Sequence, residues 1–357
     1  MLTRIEARRL SLPLTTPYHL SFGDVTAYDT VLVRLADHTG AEGIGEATVL
    51  TGYTDERIDE SWALARELVD TLAAANAAAT MTRLQQLGQR APFLATAFAS
   101  AFEMLQGSAH LVLDRDMAVS VLGTVNDTEP EAMRAQIDTL IGRGYRTLKI
   151  KVGTHAQTDA TRVTAALAHV NGRALLRVDA NQGYTPADAL AFSRAVPVQG
   201  IALFEQPCAA GDWESHMAVA RECPLPLMLD ESIYDEADID RAAALSASRF
   251  VKVKLMKFVS LDRLAAAIER IRGHGIEPVL GNGVAGDIGC WMETCIAARH
   301  IGNAGEMNGW TKMRRSLLRN PLRIELGAVQ LPAGYRPQLD LDALEAQTLE
   351  LHSRGGG

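Results

Sequence analysis

The sequence predicts an α/β chain in which strands and helices alternate around a closed barrel, preceded by a smaller α+β domain. Three observations carry this. First, short strand-like runs recur every 24 to 29 residues from about position 118 onward, with helical patterns between them. Second, residues 1–113 do not share that rhythm. Third, no GxGxxG follows an early strand, which removes the main argument for an open doubly wound sheet.

The recurring runs are AVSVL (118–122), TLKIKV (147–152), ALLRVD (174–179), IALFE (201–205), LPLMLD (225–230), RFVKVKL (249–255), EPVLG (277–281) and AGEMN (304–308). Between them lie EAMRAQIDTLIGRG, ADALAFSRAV and LDRLAAAIERIRGHG, whose apolar residues repeat at helical spacing. Thr128, three residues before Glu131, has the spacing of a capping box, and Thr185 followed by Pro186 places a cap and an N1 proline in order. Gly144 and Gly273 stand where helix C-termini favour glycine. Residues 1–113 offer RIEARRLSLPL, TVLVRLAD and AEGIGEATVL as strands, then helices from about 55 to 112. Residues 114–320 hold the barrel. Residues 321–357 form a C-terminal segment whose LRIEL and AVQLP are expected to fold back onto the first domain, with Gly355–Gly357 fraying.

Bulk composition narrows the function. A net charge of −8 with no Lys/Arg run argues against nucleic acid. No apolar stretch is long enough to span a bilayer, and the N-terminus lacks the apolar core of a signal peptide. Four cysteines without a CxxC fit a reducing cytoplasm.

Barrel enzymes place their chemistry at the C-terminal ends of strands. Reading those ends gives Lys149 and Lys151, then Asp179 and Asn181, Glu205, Asp230, and Lys254. Asp179, Glu205 and Asp230 are 26 and 25 residues apart, one per consecutive strand. Three converging carboxylates repel unless a cation lies between them, and an all-oxygen set suits Mg²⁺, or Mn²⁺. Lys149 and Lys151 are two apart in a strand and share a face. Their mutual repulsion, beside a dication, is expected to lower a lysine toward the range where it acts as a base. Lys254 stands across the barrel, so a substrate between it and Lys151 has a proton-transfer group on each face.

The ordered strings TLKIKVG, VDANQGY, FEQP, LDES and VKVKLMK, with GEA at 45–47, resemble the muconate-lactonizing-enzyme (muconate cycloisomerase) subgroup of the enolase superfamily, within the mandelate racemase/muconate lactonizing enzyme family. The resemblance covers essentially the whole chain. It implies a modified (β/α)7β TIM-type barrel with an N-terminal α+β capping domain, and a small-molecule carboxylate substrate losing its α-proton to give an enediolate. Carried over by position, Asp179, Glu205 and Asp230 resemble the metal ligands, and Lys151 and Lys254 the opposed acid/base pair. Lys149 resembles the partner that tunes Lys151, and Asn181 and Glu231 resemble supports of the metal site. Racemisation or epimerisation of an amino-acid derivative is the leading expectation. Cycloisomerisation or dehydration through the same lysines is the alternative, and a non-catalytic binder of the same fold a remote third. Homo-oligomers, dimers or octamers, are the family expectation.

The mandelate-type histidine at the end of strand seven is absent; His274 precedes that strand and reads as a surface residue. Three departures concern the substrate. Lys252 replaces a small or amide residue, Phe258 and Val259 stand where glycines are usual, and GNGVAGDIG (281–289) follows strand seven. Specificity loops are expected at 18–24, which includes Phe22, and at 50–55, which includes Tyr53. Strand eight ends in Glu306, Met307, Asn308, Gly309 and Trp310, half of the acid-x-acid pair of dipeptide epimerases. Tyr53 and Trp310 read either as an aromatic pair holding an alkylated ammonium, worth about 1–2 kcal/mol when desolvated, or as a lid residue and a packing residue. Asp287 reads as a helix N-terminal acid.

Overall fold

The computed structural model of the chain describes residues 2–20, 23–72, 77–282 and 284–355. The chain opens with an antiparallel meander, β1 (Leu2–Leu20), β2 (Gly23–Asp37) and β3 (Glu42–Thr48). Helices α1 (Ile58–Leu72), α2 (Ala77–Leu87) and α3 (Pro92–Leu105) follow. The period of two along β2 gives the sheet two apolar faces. Val31, Val33 and Leu35 pack beneath the helices, whereas Tyr28 and Leu32 belong to the core shared with the barrel. Helix α3 lies directly on β3 because Gly43 and Gly45 have no side chains. A Cβ at either would stand 2.0 Å from a carbonyl oxygen of Ala101 or Ala97.

After β4 (Met117–Ser120), a seven-stranded parallel sheet forms from β5 (Gly123–Val125), β6 (Thr147–Lys151), β7 (Leu175–Asp179), β8 (Ile201–Glu205), β9 (Leu227–Leu229), β10 (Phe250–Val253) and β11 (Glu277–Leu280), paired in sequence order. Helices α4 (Pro130–Gly142), α5 (Ala156–Val170), α6 (Pro186–Ala195), α7 (Trp213–Glu222), α8 (Glu236–Ala244), α10 (Leu261–Gly273) and α11 (Asp287–His300) form the outer layer, while the short α9 (Leu255–Phe258) is buried after β10. The strand expected at 304–308 is reduced to one parallel bridge between Gly305 and Val121. It still closes the barrel. Gly305 N donates to Ser120 O and Glu306 N to Leu280 O, so this short stretch joins the first wall to the last.

Several expectations are corrected. The first barrel strand is 123–125, not 118–122. Residues 117–120 pair instead with β13 (Ala328–Leu331), which also pairs β12 (Arg323–Glu325), in a separate three-stranded sheet. LRIEL and AVQLP therefore lie against the barrel's entry rather than on the first domain. The segment that returns there is β14 (Thr348–Gly355), after α12 (Leu341–Gln347), and it runs antiparallel to β1 with Gly355 opposite Arg4. Gly355 is thus strand, not fray. Thr128 does not cap α4, which starts at Pro130 behind Glu129 without a side-chain cap. The left-handed glycine after α10 is Gly275, at φ 73°, since Gly273 is still helical. Thr185 caps α6 as its sequence implies. All four cysteines are unpaired. Among the described residues no helix is long and apolar enough to cross a membrane.

Two carboxylates from the first domain cap barrel helices. Glu103 of α3 accepts from Leu261 N at 2.7 Å and Asp262 N at 2.9 Å, and Glu46 of β3 accepts from Gly286 N at 2.7 Å and Ile288 N at 2.9 Å. Burial lifts Glu103 from 4.5 to about 7, against the lowering effect of those N–H groups. A carboxyl raised in the fold holds its proton more tightly than in the unfolded chain. Its contribution is complete below 4.5 and is lost as pH rises through about 7. The stability advantage of wild type over Glu103→Gln, measured by thermal unfolding, is therefore expected to shrink between pH 6 and pH 8. An advantage that grows over that range contradicts the assignment.

Candidate active site

A cavity of about 760 Å³ lies between the first domain and the C-terminal mouth of the barrel. Parallel register sets its floor. Lys151 is the cross-strand partner of Asp179, and Asp179 of Glu205, so three of the candidate side chains meet on neighbouring strands. Asp230 follows β9. Gln206 holds it there: its Oε1 accepts from Asp230 N at 2.9 Å and its Nε2 donates to Ser232 Oγ at 2.7 Å.

Lys149 Nζ is buried between Asp179 Oδ2 at 2.8 Å, Glu205 Oε2 at 3.0 Å and Glu306 Oε1 at 2.7 Å. Lys151 reaches Asp179 Oδ2 at 2.7 Å and also donates to Asn181 Oδ1, with its side chain open to the cavity. Asn181 in turn donates to Glu231 Oε1 at 2.9 Å. Lys252 Nζ meets Glu205 Oε1 at 2.6 Å and both Glu306 oxygens at 3.0 Å, with Asp230 Oδ2 at 3.6 Å. Lys254 Nζ donates to Asp230 Oδ2 at 2.9 Å and to Tyr53 OH at 2.7 Å. Lys257 Nζ meets Asp230 Oδ1 at 2.9 Å.

These contacts set the charge states. Burial alone would raise Asp179 and Asp230. Lys149, Lys151 and Lys252 outweigh it for the first and Lys254, Lys257 and Lys252 for the second, holding both below the usual carboxylate range. Glu205 goes the other way, raised by burial and by the charge of Asp179. Burial also works against the charge on Lys149 and Lys254, but the carboxylates around them win and raise both. With the carboxylates turned toward them, the ammonium forms of Lys149 and Lys254 are the stabilised ones. Burial and Asp230 raise Glu231 to about 7.

Do these residues fit a divalent cation? Lys149 bridges Asp179 to Glu205, and Lys252 bridges Glu205 toward Asp230, so the three carboxylates surround one small space. Glu205 Oε2 is buried and accepts no hydrogen bond, although Lys149 Nζ is 3.0 Å away. An all-oxygen set with an unsatisfied buried oxygen fits a hard cation such as Mg²⁺. Among the described residues no group of three such side chains stands ready to hold a metal ion; the ammonium groups of Lys149 and Lys252 contact all three carboxylates.

Other expected residues divide. Tyr53 reaches the site, its ring centroid 4.3 Å from Lys254 Nζ and 6.3 Å from the ring of Tyr234. Trp310 packs on the barrel core and does not line the cavity, so the aromatic pair of Tyr53 and Trp310 does not form. Asn308 lines the cavity and donates to Leu122 O at 3.2 Å. Glu306 also lines the cavity, largely buried and held by Lys149 and Lys252. Phe22 lies outside the described residues. His274 is at the surface against Asp240, and Asp287 opens α11 while accepting from Leu317 N at 2.8 Å.

Sequence reasoning missed Gln206, Lys257 and Glu293. Glu293 of α11 is buried and raised to about 8, and accepts from Leu255 N at 3.1 Å and Asn282 Nδ2 at 2.7 Å. It thus holds the peptide next to Lys254. The signal for Lys257 was available, since it stands one helical turn after Lys254 in VKVKLMK. Glu293 carried none, because its partners are a backbone N–H and the amide of Asn282 from another part of the barrel.

The family described as enolase C-terminal domain-like matches residues 132–337, and the mandelate racemase / muconate lactonizing enzyme N-terminal domain matches residues 4–110. The L-Ala-D/L-Glu epimerase of Bacillus subtilis is 28% identical over 317 residues, 83% of this chain and 84% of that protein. The N-succinyl-L-Arg/Lys racemase of Bacillus cereus is 24% identical over 310 residues, 80% of this chain and 81% of its own. The structure of a dipeptide epimerase from Cytophaga hutchinsonii, complexed with Mg and the dipeptide D-Ala-L-Val, superposes with a TM-score of 0.85 at 19% identity over 99% of both chains.

Proposed function

Since the chain belongs to the mandelate racemase / muconate lactonizing enzyme family, and is an isomerase of the enolase superfamily, we propose that it inverts the α-carbon of an N-substituted amino acid. The observation that carries this reading is the placement of Lys151 and Lys254. Both line one cavity, from strands separated by β7, β8 and β9, and each is anchored on its own aspartate. A substrate α-carbon between them has a nitrogen on each face. One lysine, as the neutral amine, takes the α-proton, and the other, as ammonium, returns a proton from the opposite side.

Asp179, Glu205 and Asp230 are the residues that would hold a divalent cation, Mg²⁺ in this reading with Mn²⁺ as the equivalent, and it supplies positive charge that stabilises the substrate carboxylate as the α-proton leaves. Lys149 adds a fixed cation below the same space. Tyr53, from the first domain, covers Lys254 and shields that side from water. Asn181 holds Lys151 on one side and Glu231 on the other, which fixes the direction of the Lys151 amine.

The test is proton NMR in D₂O with Mg²⁺ and a pool of dipeptides, N-acyl amino acids, proline betaines, hydroxyprolines and muconate. Loss of one α-proton signal without a new product is the expected result. New vinyl or lactone signals would assign the same lysines to elimination or cycloisomerisation, and no change in any member would refute the reading.

A further inference from the structure

We propose that Val259 is a peg through which the first domain positions Lys254, so that docking of that domain sets the direction of one of the two proton-transfer groups. The inference rests on the racemase reading above and adds a positioning residue to it. Val259 follows α9 with φ 68° and ψ −37°, and Ser260 N closes the turn on Phe258 O at 2.7 Å. This is a tight turn of the γ type, rare and strained, and a β-branched residue is among the least suited to it. Glycine would take the same turn freely. The valine side chain therefore has a use that outweighs the strain.

That use lies in the first domain. Val259 is 3% exposed and, with Met256 of α9, belongs to the apolar core under the first domain's helices, whereas Phe258 between them belongs to the core shared with the barrel. Cγ2 of Val259 fills a socket over Gly88, the residue after α2, where a Cβ would stand 2.4 Å from it. A strained backbone persists only where its surroundings over-determine it, and here two cores grip adjacent residues. Lys254 stands at the other end of the same helix, as its N-cap. Lys257 N donates to Lys254 O at 3.1 Å, Val259 N to Leu255 O at 2.9 Å, and Leu255 N is fixed on Glu293. With four residues the helix has little slack, so a shift at Val259 reaches the Lys254 backbone within one turn. Lys151 has no such tether. Its neighbours Ile150 and Val152 belong to a barrel cluster without a member from the first domain.

The test reads initial α-proton exchange in D₂O for each enantiomer of the substrate separately; the enantiomer that Lys254→Met loses is the one that Lys254 serves. Val259→Gly removes the peg and relieves the turn. It is expected to slow exchange of that enantiomer about tenfold and to keep the other within about twofold, as a small misplacement of one reacting group predicts. Val259→Ile keeps Cγ2 and the branch at Cβ, and is expected to keep both rates. Equal loss for both enantiomers, which a merely structural role would give, overturns the inference and leaves the racemase reading standing. So do two unchanged rates. Absence of exchange by wild type with any substrate overturns both. Gly88→Ala presses on the peg from the socket side, so it is expected to slow the same enantiomer and to lower the unfolding temperature. Adding Val259→Ala, which removes Cγ2, is expected to recover part of that temperature, a coupling that touching residues show. Strictly additive losses overturn the peg. A Val259→Gly that does not fold leaves the Gly88→Ala tests in place.

Discussion

Lys254→Met is expected to lose racemisation by about 10³-fold or more while remaining folded, and Lys151→Met to do the same from the opposite face. The size follows from removal of a positioned acid/base group, which contributes on the order of 10²–10⁴ in rate. The informative readout is the exchange of each enantiomer separately. A variant lacking one lysine keeps its partner, so it should still exchange the α-proton of the enantiomer that presents its hydrogen to the surviving amine. The two variants should therefore show opposite enantiomer preferences. Folding should survive in both. Asp230 keeps Lys257 at 2.9 Å when Lys254 is gone, and Asp179 keeps Lys149 at 2.8 Å when Lys151 is gone. Full turnover in both variants, or the same enantiomer preference in both, would sink the two-lysine assignment.

Chelation is expected to have an effect of similar size. Removing divalent metal should stop α-proton exchange, and adding Mg²⁺ should restore it. A second readout does not depend on turnover. A cation bound only by the folded protein raises stability by RT ln(1 + [L]/Kd), about 2.7 kcal/mol at a hundredfold excess over Kd. Added Mg²⁺ should therefore raise the unfolding temperature of wild type and leave that of Asp230→Asn almost unmoved. Retained activity after exhaustive chelation, with no thermal shift on adding Mg²⁺, would remove the metal from the mechanism.

The strand-end chemistry was legible because it repeats with the period of the barrel. Asp179, Glu205 and Lys151 are cross-strand neighbours in the structure, and a 26-residue interval between acids is what one strand, one helix and two loops require. Less legible were the places where the repeat breaks. AVSVL reads as a strand and is one in part, but its first residues pair with β13 because the chain enters the barrel only after crossing that small sheet. AGEMN has the composition of a strand, yet only Gly305 makes a bridge. The charge on Lys149 could not be read from Lys149-x-Lys151 alone. It depends on Asp179, Glu205 and Glu306, which come from later parts of the chain. Tyr53 and Trp310 show the same limit: both are near the mouth in sequence terms, but Trp310 packs inward and Tyr53 turns to Lys254.

The pairing of β14 with β1 has a consequence for biosynthesis. The first domain's sheet needs residues 348–355, which leave the ribosome after the whole barrel has been made. Until then β1 presents a bare edge, and Trp62, whose indole N–H donates to Glu350 at 2.7 Å, waits without that partner. A nascent chain of this protein therefore carries an incomplete, adhesive N-terminal layer through most of its synthesis. Premature termination before residue 348 would leave that layer permanently unfinished, even with every proposed catalytic residue present.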